Sequence, residues 1–460
     1  MSNLEPFFKE WYADLEREYV ERTPKSRVIF ERAKKVLPGG VTYQIRYFRP
    51  YPFYVVRAKG SRVWDVDGNV YDDYWMGHGT HVLGHAPDFV LEEVARRVVN
   101  GTHIGLAHEL EVEFAELLTK VIPGAEMIRF CNSGTEAAMY AIRLARAYAG
   151  RYKIVKMEGG WHGGSDTLHT ALKAPYRGPD SAGLPEDSVK HVIAVPFNDV
   201  EALEKVLKSE DVAAVIMEPV MGVGGCIPPK GNYLKEVRNL TLAHDVVLIF
   251  DEVITGFRLA LGGAQEYFNV KADIVVLGKA VGGGFPGAGA IAARSEIMEY
   301  LDHLKVPDPK KRAFHGGTFT GNTVTLAAGQ AYIKYLEKHR SLYEEFNSTW
   351  ERARRELQRA CLDSGVECYV TGAGSMTGIH FTKEEPLNHY MSHYMKWSRE
   401  VYNVMHMYFR LNGIIYLSED VAHLLPSMVH SREQVERFVS VFRDFVEEVS
   451  KILKRGKRDW

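Results

Sequence analysis

Between about residue 126 and residue 295 the chain repeats one pattern, a short β-rich apolar run followed by a stretch with helical spacing. The runs are MIRFC, KIVKM, HVIAV, VAAVIMEPV, VVLIFDEV, DIVVLGK and AGAIAA. They are too apolar to leave one face wet, so each strand must be covered on both sides. Buried strands alternating with helices predict βαβ units: an α/β fold with a mostly parallel sheet and helices on both faces. Sheets of this kind bind ligands at the carboxyl ends of their strands. Glu218, Asp251 and Lys279 each fall at or just past the end of an apolar run, which makes them candidates for one shared site.

The flanking regions read differently. A helix is expected around residues 26 to 36, followed by a meander, PFYVVRAKGSRVWDVDGNVYDDYW, with turn signals at Lys59-Gly60 and Asp67-Gly68. Beyond about residue 322 long helices dominate. One is ended by Asn412-Gly413, and the last amphipathic helix starts near Ser431. The expected division is an N-terminal segment and part of a small domain over 1–85, a large ligand-binding domain over 86–321, and a C-terminal part over 322–460 that completes a smaller α+β domain.

A formal net charge of −2 gives no electrostatic reason to expect nucleic acid or an acidic membrane as partner. No stretch approaches the roughly 20 apolar residues that span a bilayer, and the N-terminus is too charged for a signal peptide. Four cysteines, Cys131, Cys226, Cys361 and Cys368, lie far apart without metal-ligand spacing, so free thiols and a reducing compartment, the cytoplasm, are expected. Small molecules and a second protein chain are the expected partners, and no metal site is expected.

Four stretches carry chemistry. In FCNSGTEAAMYAIRLARAYAG, Ser133, Gly134 and Thr135 open a helix after a strand, where free N–H groups and the helix dipole favour an anion such as phosphate. Simple N-capping by Asn132 or Ser133 fits the same residues. VVLIFDEVITGFR ends a buried strand in Asp251, a carboxylate that needs a cationic partner, either a ligand or a structural arginine. MEGGWHGGSD sets Trp161 in a glycine-rich loop, against a flat ligand or in the core, with His162 as a hydrogen-bonding neighbour. VVLGKAVGGGFPG places Lys279 between an apolar strand and a glycine cluster, either reaching a ligand or snorkelling to solvent. Together, a phosphate site, an aromatic platform, an acid and a lysine on one sheet describe the needs of pyridoxal 5′-phosphate. That cofactor requires a lysine of depressed pKa and an acid against its ring nitrogen.

With these motifs, and with LPGGVTYQIRYF, EPVMGVGGCIPP, GGTFTGN and GAGSMTGIHF, the chain resembles the class III aminotransferases of fold type I. Within that class it is most similar to glutamate-1-semialdehyde 2,1-aminomutases and related β-amino-acid aminotransferases. The resemblance implies that Lys279 carries the cofactor, that Asp251 meets the ring nitrogen, and that Val253 and Trp161 flank the ring. It assigns Ser133, Gly134 and Thr135 to the phosphate, with His162 and Glu218 beside the cofactor. Thr318 matches a threonine that reaches the phosphate from the neighbouring subunit, so a homodimer with sites at its interface is implied. Arg46 matches the arginine that holds the substrate carboxylate. Its alternative is an ion pair with Asp72 or Asp73.

The same resemblance marks departures. His78 stands where aminomutases place a pocket tryptophan, Val223 and Met221 replace amides expected near the ring hydroxyl, and Ala422 or a neighbour stands opposite an expected glutamate. Neither Val223 nor Met221 donates a hydrogen bond as an amide would. The implied activity is amino transfer between a carboxylate-bearing amino compound and an oxo acid. The alternatives are intramolecular transfer on glutamate 1-semialdehyde, in tetrapyrrole synthesis, and a racemase or epimerase on the same scaffold.

Overall fold

The computed structural model describes residues 4–416 and 420–458. The chain folds as two compact units, Met1–Pro87 with Phe346–Pro386 and Met391–Trp460, and Asp88–Glu345 with Leu387–Tyr390.

In the first unit the expected meander forms strands β1 (Val55–Lys59), β2 (Arg62–Asp65) and β3 (Val70–Asp73). The second unit contains β4 (Met127–Cys131), β5 (Lys153–Met157), β6 (Val192–Val195), β7 (Val212–Met217), β8 (Val247–Asp251), β9 (Ile274–Gly278) and β10 (Gly289–Ala293), one for each apolar run. The first unit adds β11 (Tyr369–Thr371), β12 (Thr377–His380), β13 (Ile414–Ile415) and β14 (Ala422–Leu424). It holds two small sheets, β1-β2-β3-β13 and β11-β12-β14. The helix expected at 26 to 36 runs instead over Pro24–Ala33. A helix at Glu5–Arg22, whose sparse apolar positions hide it in the sequence, precedes it and buries Phe8 and Tyr19.

The second unit is built on a sheet ordered β4-β10-β9-β8-β7-β5-β6. β5 to β9 pair in parallel, while β10 runs antiparallel to both β9 and β4. Ile154, Ala214, Ile216, Ile249 and Ile274 pack on Ala137, Ala138, Ala141 and Leu144 of the helix Gly134–Ala149. On the opposite face Val155, Val215, Leu248 and Phe250 pack with Leu203, Leu207, Leu234 and Val237. This two-sided burial is what the apolar runs demand. The unit extends to Glu345, past the boundary expected at 321. The reason is packing: the helix Thr323–Lys338 stacks Tyr335 on Phe89 with centroids 4.6 Å apart, and Gln330 donates to Glu113 at 3.0 Å.

Candidate active site

Strand alternation decides which side chains meet. Side chains along a strand change face at every residue. Ile216 and Ile249 face the helix Gly134–Ala149, so Glu218 and Asp251 point to the same side, and Glu252 points away. Glu252 instead accepts the N–H groups of Ala264 and Gln265 at 2.6 and 3.1 Å, which fixes the start of a short helix. Two adjacent acids in one motif therefore serve different layers.

Asp251 is 5% exposed. Its Oδ2 accepts a hydrogen bond from His162 Nδ1 at 2.8 Å, and its Oδ1 accepts from Val253 N at 3.0 Å. The partner of this acid inside the protein is thus a histidine rather than an arginine. Burial pushes His162 below the usual histidine range, against the pull of Asp251. A neutral ring donating through Nδ1 leaves Nε2 as an acceptor, and that buried nitrogen has no partner among the described residues.

Glu218, beyond the end of β7, accepts the N–H of Trp161 at 3.2 Å and of Gly222 at 2.9 Å. Burial raises its pKa to about 7, the charge of Asp251 adds to the rise, and the two amides oppose it. Glu218 thus acts as a strut between the loop after β5 and the loop after β7. Trp161 is only half-buried, edge-on to His169 at 5.7 Å, which removes the reading of it as a core residue. Met221 is 1% exposed and lies against Gly224, whereas Val223 keeps partial exposure.

Ser133 caps the helix Gly134–Ala149 by accepting the N–H of Glu136 at 3.1 Å. Capping therefore occurs, and it engages only the third residue of the first turn. The N–H groups of Gly134 and Thr135 have no partner within the helix, as in any first turn. The Trp161 loop lies directly on this turn, because a Cβ added to Gly163 (φ +87°) would stand 2.4 Å from Thr135 Oγ1. From the other side, a Cβ on Gly278 would stand 3.1 Å from Val253 Cγ1 and 3.3 Å from Gly134 Cα. A side chain there would press on Val253 and the Ser133–Thr135 turn, which would have to give by a few tenths of an ångström.

Lys279 follows at once with a left-handed φ of 49°, a strained conformation for a lysine and one typical of functional sites. It does not snorkel outward. Burial lowers its pKa to about 8, opposed by Asp251 and Glu218 and assisted by Arg258. Arg258, itself lowered to about 10 by burial, escapes sequence reading because nothing in GFR separates a buried arginine from a surface one.

Thr318 is exposed in this single chain. Arg46 and His78 belong to the first unit. Arg46 is exposed on the turn Gln44–Arg46 and donates to Thr42 Oγ1 at 2.8 Å. Asp72 is held by Arg62 and Arg437, and Asp73 by His85 at 2.7 Å, so neither acid engages Arg46. Arg46 lines a cavity of about 250 Å3 together with Phe53, Trp75 and Tyr416. His78 has a left-handed φ of 61°, and its ring lies 5.8 Å from that of His423. Ala422 is buried on β14, while Leu417, Ser418 and Glu419 of the same stretch lie outside the described residues.

The fold, with its seven-stranded, mostly parallel sheet, is that of the pyridoxal-phosphate-dependent transferases of fold type I. More narrowly, the model of the class III aminotransferases matches residues 43–446, and the chain belongs to that family. A glutamate-1-semialdehyde 2,1-aminomutase from Archaeoglobus fulgidus is 42% identical over 420 residues, which are 90% of this chain and 97% of that protein. Among solved structures, an omega-transaminase from Sphaerobacter thermophilus is 31% identical with a TM-score of 0.84, covering 93% of this chain and 98% of that one. A glutamate-1-semialdehyde aminomutase from Pseudomonas aeruginosa PAO1 is 26% identical with a TM-score of 0.85, covering 97% and 98%.

Proposed function

We propose that this class III enzyme performs amino transfer within a small carboxylate-bearing amino aldehyde, as glutamate-1-semialdehyde 2,1-aminomutases do. The observation that carries the reading is Lys279 set beside the buried, hydrogen-bonded pair of Asp251 and His162 at the carboxyl-end side of one sheet, in a chain 42% identical to such an aminomutase. Pyridoxal 5′-phosphate is the cofactor. It fits the close approach of Gly163 to Thr135, the half-exposed Trp161 in the same loop as Gly163, and the buried acid. When bound, it supplies a cationic ring that withdraws the electrons left by a broken Cα–H bond.

The protein's own groups divide the work. Ser133, Gly134 and Thr135 hold the phosphate, with Thr318 of a second subunit completing that contact in a homodimer. Trp161 and Val253 keep the ring flat between them, and Glu218 holds the Trp161 loop in place. Asp251 Oδ2, already bonded to neutral His162, presents its negative charge to the ring nitrogen and favours a proton there. Lys279 binds the cofactor through its amine. The Nζ of Lys279 would also serve as the base that moves a proton at the substrate carbon, a task suited to a pKa of about 8. Arg46 holds the substrate carboxylate, and His78 borders the substrate.

Transamination between an amino compound and an oxo acid is the second reading, and a specific observation favours it. The omega-transaminase from Sphaerobacter thermophilus is 31% identical to this chain against 26% for the aminomutase from Pseudomonas aeruginosa PAO1, and the apolar Val223 stands where the aminomutases are expected to carry an amide. The test is to supply glutamate 1-semialdehyde with and without an added oxo acid. Conversion without oxo acid supports the aminomutase reading. Conversion that depends on it, with spectral change to the pyridoxamine form, supports transamination, and inertness under both conditions removes the semialdehyde as substrate.

A further inference from the structure

The second unit contains a second concavity whose residues none of the chemistry above uses. It measures about 750 Å3 and lies among the helix Gly134–Ala149, the segment Ser165–Leu168 and the chain at Lys310–Phe314. Its charged lining has one sign, Arg143, Arg146, Lys310, Lys311 and Arg312, without a single Asp or Glu. Among the described residues these cations make no ion pair. Three of them donate to backbone carbonyls instead: Arg143 to Phe314 O at 2.8 Å, Arg146 to Tyr152 O at 2.8 Å, and Arg312 to Val306 O at 2.9 Å. Those bonds fix the guanidinium groups while leaving further N–H donors on each.

Gathering like charges in a concavity costs energy that an anion removes, and such a cleft concentrates anions from solution. The volume falls in the usual range of about 300–1,000 Å3 for small-molecule sites. Arginine forks recognise phosphate and carboxylate oxygens bidentately. With a net charge of −2 over the chain, the positive cluster is local, which suits a compact ligand better than a nucleic acid track.

We propose that this cavity binds a small polyanion bearing two or more phosphate or carboxylate groups, separately from the cofactor phosphate. The test is calorimetric titration of the cofactor-loaded enzyme, whose Ser133–Thr135 turn is already filled, with inorganic tripolyphosphate and, separately, with citrate. The expected result is saturable binding at one site per chain, weakened on the order of tenfold or more in Arg143→Gln combined with Lys311→Gln. Because Arg143 also ties down Phe314, a second variant, Lys310→Gln with Lys311→Gln, removes charge from exposed positions only and should weaken binding as well. Tighter binding of tripolyphosphate identifies a phosphate ligand, and tighter binding of citrate a carboxylate ligand. Absence of saturable binding by either probe, or equal affinity in the charge-removal variants, overturns the proposal. Amino transfer should be unchanged in both variants, so the outcome is independent of the proposed reaction.

Discussion

His162 Nδ1 donates to Asp251 Oδ2 across 2.8 Å, with both side chains buried at the ends of neighbouring loop and strand. The bond fixes the carboxylate's direction and the tautomer of the imidazole together. His162→Phe should therefore leave Asp251 with Val253 N as its remaining partner and cost ~1.5–3 kcal/mol of stability. Urea unfolding of the cofactor-loaded protein measures the loss, and a shift in the cofactor's visible absorbance should accompany it. An unchanged midpoint and spectrum would dissociate His162 from the site.

Asp251→Asn keeps the shape and removes the charge proposed above to favour a protonated ring nitrogen. Turnover should fall by roughly 10²-fold or more while the cofactor stays bound. Steady-state rates set beside cofactor content, measured on the same preparation, distinguish this from simple loss of cofactor.

The amine of Lys279 is held near a pKa of about 8 by burial. Only the neutral amine is a nucleophile, so capture of pyridoxal phosphate by the cofactor-free protein should accelerate as pH rises through about 8 and level off above it. Stopped-flow absorbance gives the profile directly, and a midpoint near that of free lysine contradicts a buried amine. For stability the sign is that of a lowered lysine pKa. The penalty for burying the charged amine is present in full below about 8 and disappears as pH rises toward 10.5, so the cofactor-free protein gains stability across that window. Lys279→Ala should abolish turnover yet retain weak, phosphate-anchored binding of the cofactor, visible by equilibrium dialysis.

Gly163 combines φ +87° with a Cβ position 2.4 Å from Thr135 Oγ1. Gly163→Ala must move either the Trp161 loop or the phosphate turn, at a cost of ~1–3 kcal/mol. Cofactor dissociation should become faster by on the order of tenfold or more. Retention of cofactor at the original rate would show that the loop and the turn are not coupled.

Arg46 is exposed and, among the described residues, its side chain hydrogen-bonds to Thr42, which leaves most of its fork for a ligand. Arg46→Lys should raise KM for carboxylate substrates about tenfold with little change in kcat, because a point charge replaces a bidentate fork in binding rather than in chemistry. Equal effects on amines lacking a carboxylate would remove this role.

The apolar runs between 126 and 295 were sufficient to define the strands, because a strand buried on both faces has no freedom to carry polar residues. The motifs likewise single out Lys279, Asp251 and the Ser133–Thr135 turn as candidates, and all three lie at strand ends or the helix start of the same unit. Local sequence says nothing about facing partners, however. That His162 rather than an arginine meets Asp251, that Glu218 braces the Trp161 loop, and that Glu252 turns to another layer follow from strand register and alternation across distant segments. The extension of the second unit to Glu345 is similar, because a helix joins whichever surface its apolar face covers. What the sequence determined by itself was the inventory of strands and reactive groups, through composition and period. Which of those groups share a hydrogen-bonded site was decided only by the tertiary structure, because burial and pairing depend on residues brought together from far apart in the chain.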